Sequence, residues 1–558
     1  MKAAKNTIRT RTQESTRAIE RLYISMRHLF SRGFYKPMGV SGEALIEALM
    51  VLQPEIYGSI GEKKMELNGL LYVTERLPKG IEECQFINLT ADEGDLKASF
   101  DTIVPKKRRR NCYRIDRDLM HIEITRGRSD IYDSITHLTF LCIESHKLMR
   151  RILKKEEGAV DVQREWTHLE AIVLKNKKLD EQEKDVTFIH LGSLLGRTFK
   201  EIKKAYEDFA TIENPDRFFY FIYALGQSAI QEETNGKERI ITFSDLLKEQ
   251  IGQHIYGEIW AKKVKEYLLE NSLIKRPVHI ISANMHSVLN TLYAEKALNG
   301  IEDLQGFELF EKLSIRENRA LRDRVKQFSK QNGLCYIKDQ SGANINVQII
   351  DTAKISFLNL NVSPNDKPIL IVMDYAFGEQ AYETMDELLK PYLSGSKSHY
   401  LNVLSISIMG KAGILEGGKG DIMIPKAHVF EGTADNYPFK NEFTKNDLAG
   451  FGSQVYEGAM ITVLGTSLQN REVLNYFYRS TWNVIGLEME GAHYQKAIQA
   501  ASKIRNNISE DVKVRYAYYA SDNPLKTGST LASGGLGTSG VRPTYAITQK
   551  IIEQILIE

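Results

Sequence analysis

Beyond about residue 345 the chain alternates short apolar runs with amphipathic helical segments. That alternation constrains the fold more than any other feature. INVQIID, PILIVMDYAFG, YLNVLSISIMG, YEGAMITVLGT, WNVIGLEMEG and KVRYAYYASDNP are apolar runs that stop at or beside Gly, Asp or Ser. ETMDELLKPYL, NREVLNYFYR and GAHYQKAIQAASKI fall between them as helical pieces. Strands that alternate with helices build an α/β domain on a largely parallel or mixed sheet. The earlier part reads mainly as helices. TRAIERLYISMRHLFSRGF, GEALIEALMVL, DIYDSITHLTFLCIESHKLMRRILKK, FSDLLKEQIGQHIYGEIWAKKVKEYLLEN and LFEKLSIRENRALRDRVKQFSKQ keep three-to-four apolar spacing. GLLYVTERL and LMHIEIT interrupt them as short strands. The expectation is therefore a mainly α-helical N-terminal region over 1–345, regulatory or assembling and divisible into two subdomains, followed by an α/β domain over 346–558. SPNDKP (363–368) is a loop near the start of that domain.

With 558 residues, 42% of them hydrophobic and 26% charged, the chain has the balance of an ordinary globular protein. A net charge of +2 argues against a nucleic-acid binder or a membrane-surface protein as a whole. No apolar run approaches the roughly 20 residues of a membrane helix. MKAAKNTIRTRTQESTRAIERL is basic but lacks an apolar core, so it does not read as a signal peptide. Cys84, Cys112, Cys142 and Cys335 are scattered without a CxxC pair, which argues against a disulfide framework and against a zinc knuckle. The expected setting is the reducing cytoplasm.

Ligands of open α/β sheets bind beyond the carboxyl ends of the strands. Four such ends carry chemistry here: Tyr375-Ala376-Phe377-Gly378-Glu379-Gln380, Gly410-Lys411-Ala412-Gly413, Glu488-Met489-Glu490 and Ser521-Asp522-Asn523-Pro524. Acids and two glycine turns converging on one rim make a candidate pocket for a polar ligand.

MGKAGILEGGKGDIMIPKAH, then EMEGA, then a Ser-Asp pair after a strand, resemble in order the motifs of the nucleoside phosphorylase superfamily. That superfamily includes purine nucleoside phosphorylases, methylthioadenosine nucleosidases and AMP nucleosidases. The resemblance runs over roughly 366–558 and implies an α/β/α domain with a mixed sheet. By residue, it implies that Glu490 binds the ribose hydroxyls with Met489 packed on the ring, and that Asp522 protonates the leaving purine. Glu379 lies near the position of a water-activating Glu, with Gln380 competing for that place. Gly410, Lys411, Gly413, Ser521 and Phe377 would contact substrate, and Arg542 a phosphate. The chemistry is consistent with those residue types. Cleaving an N-glycosidic bond develops positive charge on the sugar, which a carboxylate on the ribose stabilises, and the base leaves more readily once protonated. The resemblance calls for no cofactor and no metal, and for a homo-oligomer.

The chain also departs from the pattern. Ile408 stands where phosphorylases carry a phosphate-holding Arg, which favours water as nucleophile and hence a nucleosidase. Val463-Leu464-Gly465-Thr466 lacks the aromatic that often stacks on the base, a place Tyr456 or Phe377 would have to fill. SKIRNNISEDVK lengthens the span between Glu490 and Asp522. The Ser-Asp-x-Pro-Leu form resembles AMP nucleosidases and implies a 5′-phosphate on the substrate. Gly534, Gly537 and Gly540 belong to a Gly/Ser-rich stretch that is a lid, a phosphate-cradling loop or a flexible connection. The expected activity is hydrolysis of the base–ribose bond of a purine nucleotide or nucleoside, in salvage or in nucleotide depletion. Its alternatives are a phosphate-dependent phosphorylase and a non-catalytic nucleotide sensor.

Towards the N-terminus, Lys106 to Arg110 form a basic run read as a solvated loop or subunit contact in preference to a site for nucleotide phosphate or RNA. Arg126, Arg128, Asp130, Asp133 and His137 crowd together, with Asp133 and His137 on one helix face. Glu165 and His168 have the spacing of a carboxylate-bridged metal pair but no second pair, so they read as satisfied polar residues. KRPVHIISANMHSVLN reads as strand, turn and helix, at an interface or a regulatory pocket.

Overall fold

The structure is a computed structural model that describes residues 2–91, 99–108, 110–156, 159–301, 304–358, 360, 362–433, 435–527 and 537–557. Gly534 of the Gly/Ser-rich stretch and Arg109 of the basic run lie outside them. Two compact units emerge: residues 1–125, 130–252 and 467–470 form the first, and 126–129, 253–466 and 471–558 the second. Among the described residues no helix is long and apolar enough to cross a membrane.

The first unit is not purely helical. Strands β1 (Phe34–Tyr35), β2 (Phe86–Thr90), β3 (Thr102–Ile103), β4 (Cys112–Arg114) and β5 (Leu119–Glu123) belong to a sheet. After a hairpin of β6 (Leu153–Glu156) and β7 (Ala159–Val162), β8 (Ile240–Phe243) completes it in the order β1-β8-β2-β5-β4-β3. Its strands run two to five residues, too short for a period-two pattern to stand out from the flanking helical periodicity. The basic run is not a solvated loop at its C-terminal end. Arg110 is 3% exposed, its Nε donating to Asp130 Oδ1 at 2.9 Å and its Nη2 to Asp133 Oδ2 at 3.3 Å. Arg108 Nε donates to the same Asp133 oxygen at 3.0 Å. Burial pushes the Asp133 carboxyl up, but His137, Arg108 and Arg110 outweigh it and hold the group well below the usual carboxylate range. His168 makes a 3.2 Å hydrogen bond with the Thr187 hydroxyl. Among the described residues no group of three or more His, Cys, Asp or Glu is arranged to hold a metal ion.

The second unit is built on a ten-stranded mixed sheet that starts well before residue 345. Its first strand is β9 (Pro277–Ser282), the run VHIIS, which lies parallel between two strands that come later in the chain. The others are β10 (Leu334–Ile337), β11 (Val347–Asp351) and β12 (Ile369–Met373) and, past the small hairpin of β13 (Tyr392–Ser394) and β14 (Lys397–His399), the long β15 (Asn402–Ile414). β16 (Ile422–Phe430), β17 (Asn436–Pro438), β18 (Val455–Thr462), β19 (Val484–Glu488) and β20 (Lys513–Asp522) follow. The order is β10-β11-β12-β9-β15-β19-β18-β16-β17, with β20 paired to both β15 and β16. The pairings β15-β19-β18-β16-β20-β15 return to their start, so part of the sheet closes into a five-stranded ring. Strands β11, β12 and β19 are buried along their whole length, as expected of strands covered on both faces. One cover is the pair Met285–Leu298 and Val541–Ile557, whose Leu292, Ile547 and Ile551 pack with Leu370 and Val372. Gln380–Leu389 packs on Gly491–Gln499 and on Ile255–Glu270.

Candidate active site

The site arises where β15 changes partners. On one edge it pairs with β9 from Asn402 to Ile408 and then with β19 only at Gly413 and Ile414. Its other edge is occupied by β20 from Ser405 to Gly413. The backbone of residues 409–412 therefore has no sheet partner on the β9 side. A cavity of about 140 Å³ lies there, lined by Ser282, Gly410, Lys411, Glu490, Tyr494 and Tyr518 among others. The expected glycine turn at Gly410–Gly413 is not a turn. β15 runs straight through it, with Gly410 opposite Tyr518 and a register shift between Ala412 and Gly413, because parallel β20 holds the backbone extended.

Glu490 reaches the cavity from the N-terminus of the helix Gly491–Gln499, where β19 ends. Its Oε1 accepts a hydrogen bond from the Gly378 N–H at 2.9 Å. Gly378 has φ +54°, and a Cβ there would lie 2.2 Å from Ser129 Oγ, so a side chain is excluded on both counts. Ser129 Oγ in turn accepts from the Glu379 N–H at 3.0 Å, and Arg128 Nη1 donates to Glu379 Oε1 at 3.2 Å. Glu379 caps the helix Gln380–Leu389 and is not among the residues lining the Glu490 cavity. Gln380 is engaged elsewhere: its Oε1 accepts from the Phe377 N–H and its Nε2 donates to the Ala343 carbonyl.

Glu488, two residues earlier, turns into the interior at 2% exposure. It accepts from the Thr462 hydroxyl and from the N–H groups of Glu490 and Gly491. Burial, reinforced by the charge of Glu490, pushes its carboxyl up to about 8 against the pull of those donors. A second buried acid, Glu431, sits just past the end of β16 at 3% exposure, its N–H bonded to the Thr462 carbonyl at 3.0 Å. Burial pushes this carboxyl too up to about 8, against the pull of the Leu464 backbone N–H. No motif singles out Glu431; its place beside β18 and β19 emerges only from the strand pairing.

Asp522 ends β20 at 9% exposure. The Ser521 hydroxyl lies 2.6 Å from Asp522 Oδ1 and 3.1 Å from the Ala412 carbonyl oxygen. Gly413 pairs with Asp522 on one side and Leu487 on the other, which sets the ends of β20 and β19 two strand spacings, about 10 Å, apart. Asn523 fixes the bend after Asp522, donating to the Gly417 carbonyl at 3.1 Å and accepting from the Leu525 and Lys526 N–H groups.

Of the other expected contacts, Gly410 and Lys411 line the cavity, whereas Met489 and Phe377 pack into the apolar cluster of Leu415, Val473 and Leu487. Tyr456 lies at the opposite end of β18 from Thr462, against Gly417. Arg542 is 60% exposed and paired with Glu311 at 3.0 Å. Tyr494 and Tyr518 had no sequence signal, and Ser282 falls in the KRPVHIISANMHSVLN segment read as lining an interface or a regulatory pocket. Tyr494 and Ser282 share a 3.0 Å hydrogen bond, and Tyr518 is 3.2 Å from His428 Nε2.

Fold and site together define a mixed α/β protein with carboxylates gathered at the strand ends of one sheet. The chain belongs to the family of unknown function DUF6909, whose family model matches residues 43–214 and 312–557. No curated protein matches it. Among solved structures it is similar to the 5′-methylthioadenosine/S-adenosyl homocysteine nucleosidase of Campylobacter jejuni, at 10% identity and a TM-score of 0.31, over 50% of this chain and 99% of that one. It is similar to the futalosine hydrolase of Helicobacter pylori, at 12% identity and a TM-score of 0.29, over 50% and 99%. The uridine phosphorylase of Schistosoma mansoni is a third, at 12% identity and a TM-score of 0.31, over 51% and 89%.

Proposed function

We propose that this chain is an N-glycosidase that hydrolyses the base–ribose bond of a purine nucleoside or nucleotide. The observation that carries the reading is the Glu490 carboxylate, anchored by the Gly378 N–H at 2.9 Å and lining a cavity at the point where β15 changes partners. A carboxylate fixed there is an acceptor for ribose hydroxyls and a countercharge for the sugar as the bond to the base breaks. Asp522, at the strand end on the other side of β15, about 10 Å away, donates its proton to the leaving base. Water adds to the anomeric carbon, and the proton it releases returns Asp522 to its acid form. Glu379 takes a positioning role in this scheme, because Arg128 holds one of its oxygens and its backbone shapes the loop that anchors Glu490. The reading follows the AMP nucleosidase resemblance of the Ser-Asp-x-Pro-Leu segment and includes a homo-oligomer.

Chromatographic detection of free base from adenosine, inosine, AMP, GMP, ATP and methylthioadenosine, with and without phosphate, tests it. The expected result is base release that needs no phosphate and falls by about 10²-fold or more in Asp522→Asn. Release strictly dependent on phosphate would make the enzyme a phosphorylase. No release from any substrate would overturn the reading.

A further inference from the structure

A second and larger cavity, of about 600 Å³, shares Lys411 with the Glu490 cavity. His286, Ser287, Ser314, Arg316 and Arg322 also line it. Its lining contains three cationic side chains, Arg316, Arg322 and Lys411, and no Asp or Glu among the described residues. In a chain with 74 Lys and Arg against 72 Asp and Glu, a concave surface of one sign is a segregation of charge that concentrates anions.

Arg322 is held in place by the fold. Arg322 Nη1 donates to the carbonyls of Leu313 and Ile315, and Nη2 to that of Arg316 at 2.9 Å. Those bonds fix the segment that presents Ser314 and Arg316, and they leave the Arg322 charge without a carboxylate to offset it. Among the described residues neither Arg316 nor Arg322 forms an ion pair with an acid. The helix Met285–Leu298 begins at the same wall, capped by Asn284, and adds the positive end of its dipole. Burial holds the His286 imidazole low, and of the charges around it Asp374 opposes that while Arg322 and Lys326 add to it.

We infer that this cavity is a phosphoryl-binding subsite and that the substrate of the adjoining Glu490 site is a phosphorylated nucleotide rather than a free nucleoside. The inference rests on the reading of Glu490 as the ribose-binding group. Lys411 stands at the junction, where the 5′ end of a ribose held by Glu490 passes from one cavity to the other. Arg316 and Arg322 take the phosphoryl oxygens, for which guanidinium geometry is suited. Arg542, the sequence candidate for a phosphate contact, is absent from this lining.

Titration calorimetry of the full chain with ribose 5-phosphate, ribose and inorganic phosphate tests the subsite without requiring turnover. Ribose 5-phosphate is expected to bind about tenfold or more tighter than ribose. Arg316→Ala should remove most of that difference and Arg316→Lys should restore part of it, while ribose itself shifts by less than about twofold. Arg316 is exposed, and its side chain forms no ion pair or hydrogen bond among the described residues, so the variant reports binding rather than folding. Inorganic phosphate that binds through Arg316, with ribose 5-phosphate no tighter than ribose, would identify free phosphate as the ligand and overturn the nucleotide assignment. Equal binding of ribose and ribose 5-phosphate, unaffected by Arg316→Ala and without phosphate binding, would overturn the subsite. A chain that binds ribose 5-phosphate through Arg316 yet releases no base keeps the subsite and loses the glycosidase reading. Equal base release from adenosine and AMP does the reverse.

Discussion

The Gly378 N–H donates to Glu490 Oε1 at 2.9 Å, joining the strand end after β12 to the one after β19 across more than a hundred residues of sequence. The same peptide segment is pinned from behind, where the Glu379 N–H donates to Ser129 Oγ at 3.0 Å. The Glu490 carboxylate, to which the proposed function assigns the ribose, is thus held by backbone, and that backbone is held by a residue from far earlier in the chain. Pre-set geometry of this kind is what allows a charged group to act on a developing positive charge without reorganising.

Gly378→Ala tests the anchor. The residue has φ +54°, and the added Cβ would fall 2.2 Å from Ser129 Oγ. Left-handed backbone and the clash together should cost about 1–3 kcal/mol in urea unfolding. Displacement of the N–H from Glu490 should lower kcat/KM for base release by about tenfold or more. A variant with lost stability and unchanged kcat/KM would show that the anchor does not set the Glu490 geometry.

The legible part of this fold is local. Strand ends that carry an acid stand out, because an apolar run that stops at Glu488 or Asp522 breaks its own pattern. The partner strands are not local, and the errors follow from that. Gly410 to Gly413 read as a turn, since nothing nearby in sequence shows that β20 will pair there and keep the backbone extended. VHIIS read as the strand of a strand, turn and helix on the far side of a domain boundary, at an interface or a regulatory pocket, since its neighbours β12 and β15 lie roughly a hundred residues further on. Ser129, Arg316 and Arg322 are ordinary polar residues in their own segments, Arg128 stood out only as one of a charged cluster, and only the folded chain brings them to the site or its neighbouring cavity.

Glu431 makes the stability of the second unit pH-dependent. Its carboxyl is raised by burial to about 8 from an ordinary 4.5. Between those values the folded state keeps the proton and the unfolded state loses it, so this group's contribution is complete below about pH 4.5 and is lost as pH rises through 8. The slope approaches about 1.4 kcal/mol per pH unit inside that window. Glu431→Gln cannot titrate, and its amide oxygen can keep the contact that the Leu464 N–H makes with the acid. The variant is therefore expected to match the native protein near pH 5 and to be the more stable one at pH 8.5. Parallel denaturation curves at the two pH values measure this, and an unchanged difference between them would refute it.

In the first unit, the buried Arg110 depends on its acids. Its side chain is 2% exposed and Asp130 is 1% exposed. Removing one member of such a pair leaves an uncompensated charge in the interior, at a cost of about 3–5 kcal/mol. Asp133, at 3.3 Å from the same guanidinium, offsets part of it, so Asp130→Ala should cost about 3 kcal/mol in urea unfolding. Replacing Arg110 by Met together with Asp130 by Asn should be much milder than the single change, because it removes the charge along with its partner. A double variant as unstable as Asp130→Ala would mean that the pair's shape, rather than its charge, sustains the unit.

Glu490→Gln separates charge from geometry at the site itself. The amide oxygen can still accept from the Gly378 N–H, so the loop keeps its anchor and the fold its stability. The negative charge that would stabilise an oxocarbenium-like sugar is gone, and kcat for base release should fall by about 10²-fold or more. The neighbouring Glu488 supplies an independent readout. Its carboxyl stands near 8 chiefly through burial and next through the Glu490 charge. Removing that charge should shift the Glu488 titration downward, visible as a displaced alkaline limb in stability against pH. Loss of activity accompanied by that shift, with the melting temperature at pH 6 preserved, is the expected outcome. Unchanged kcat in a variant that shows the shift would remove Glu490 from the chemistry and leave it as a structural acid.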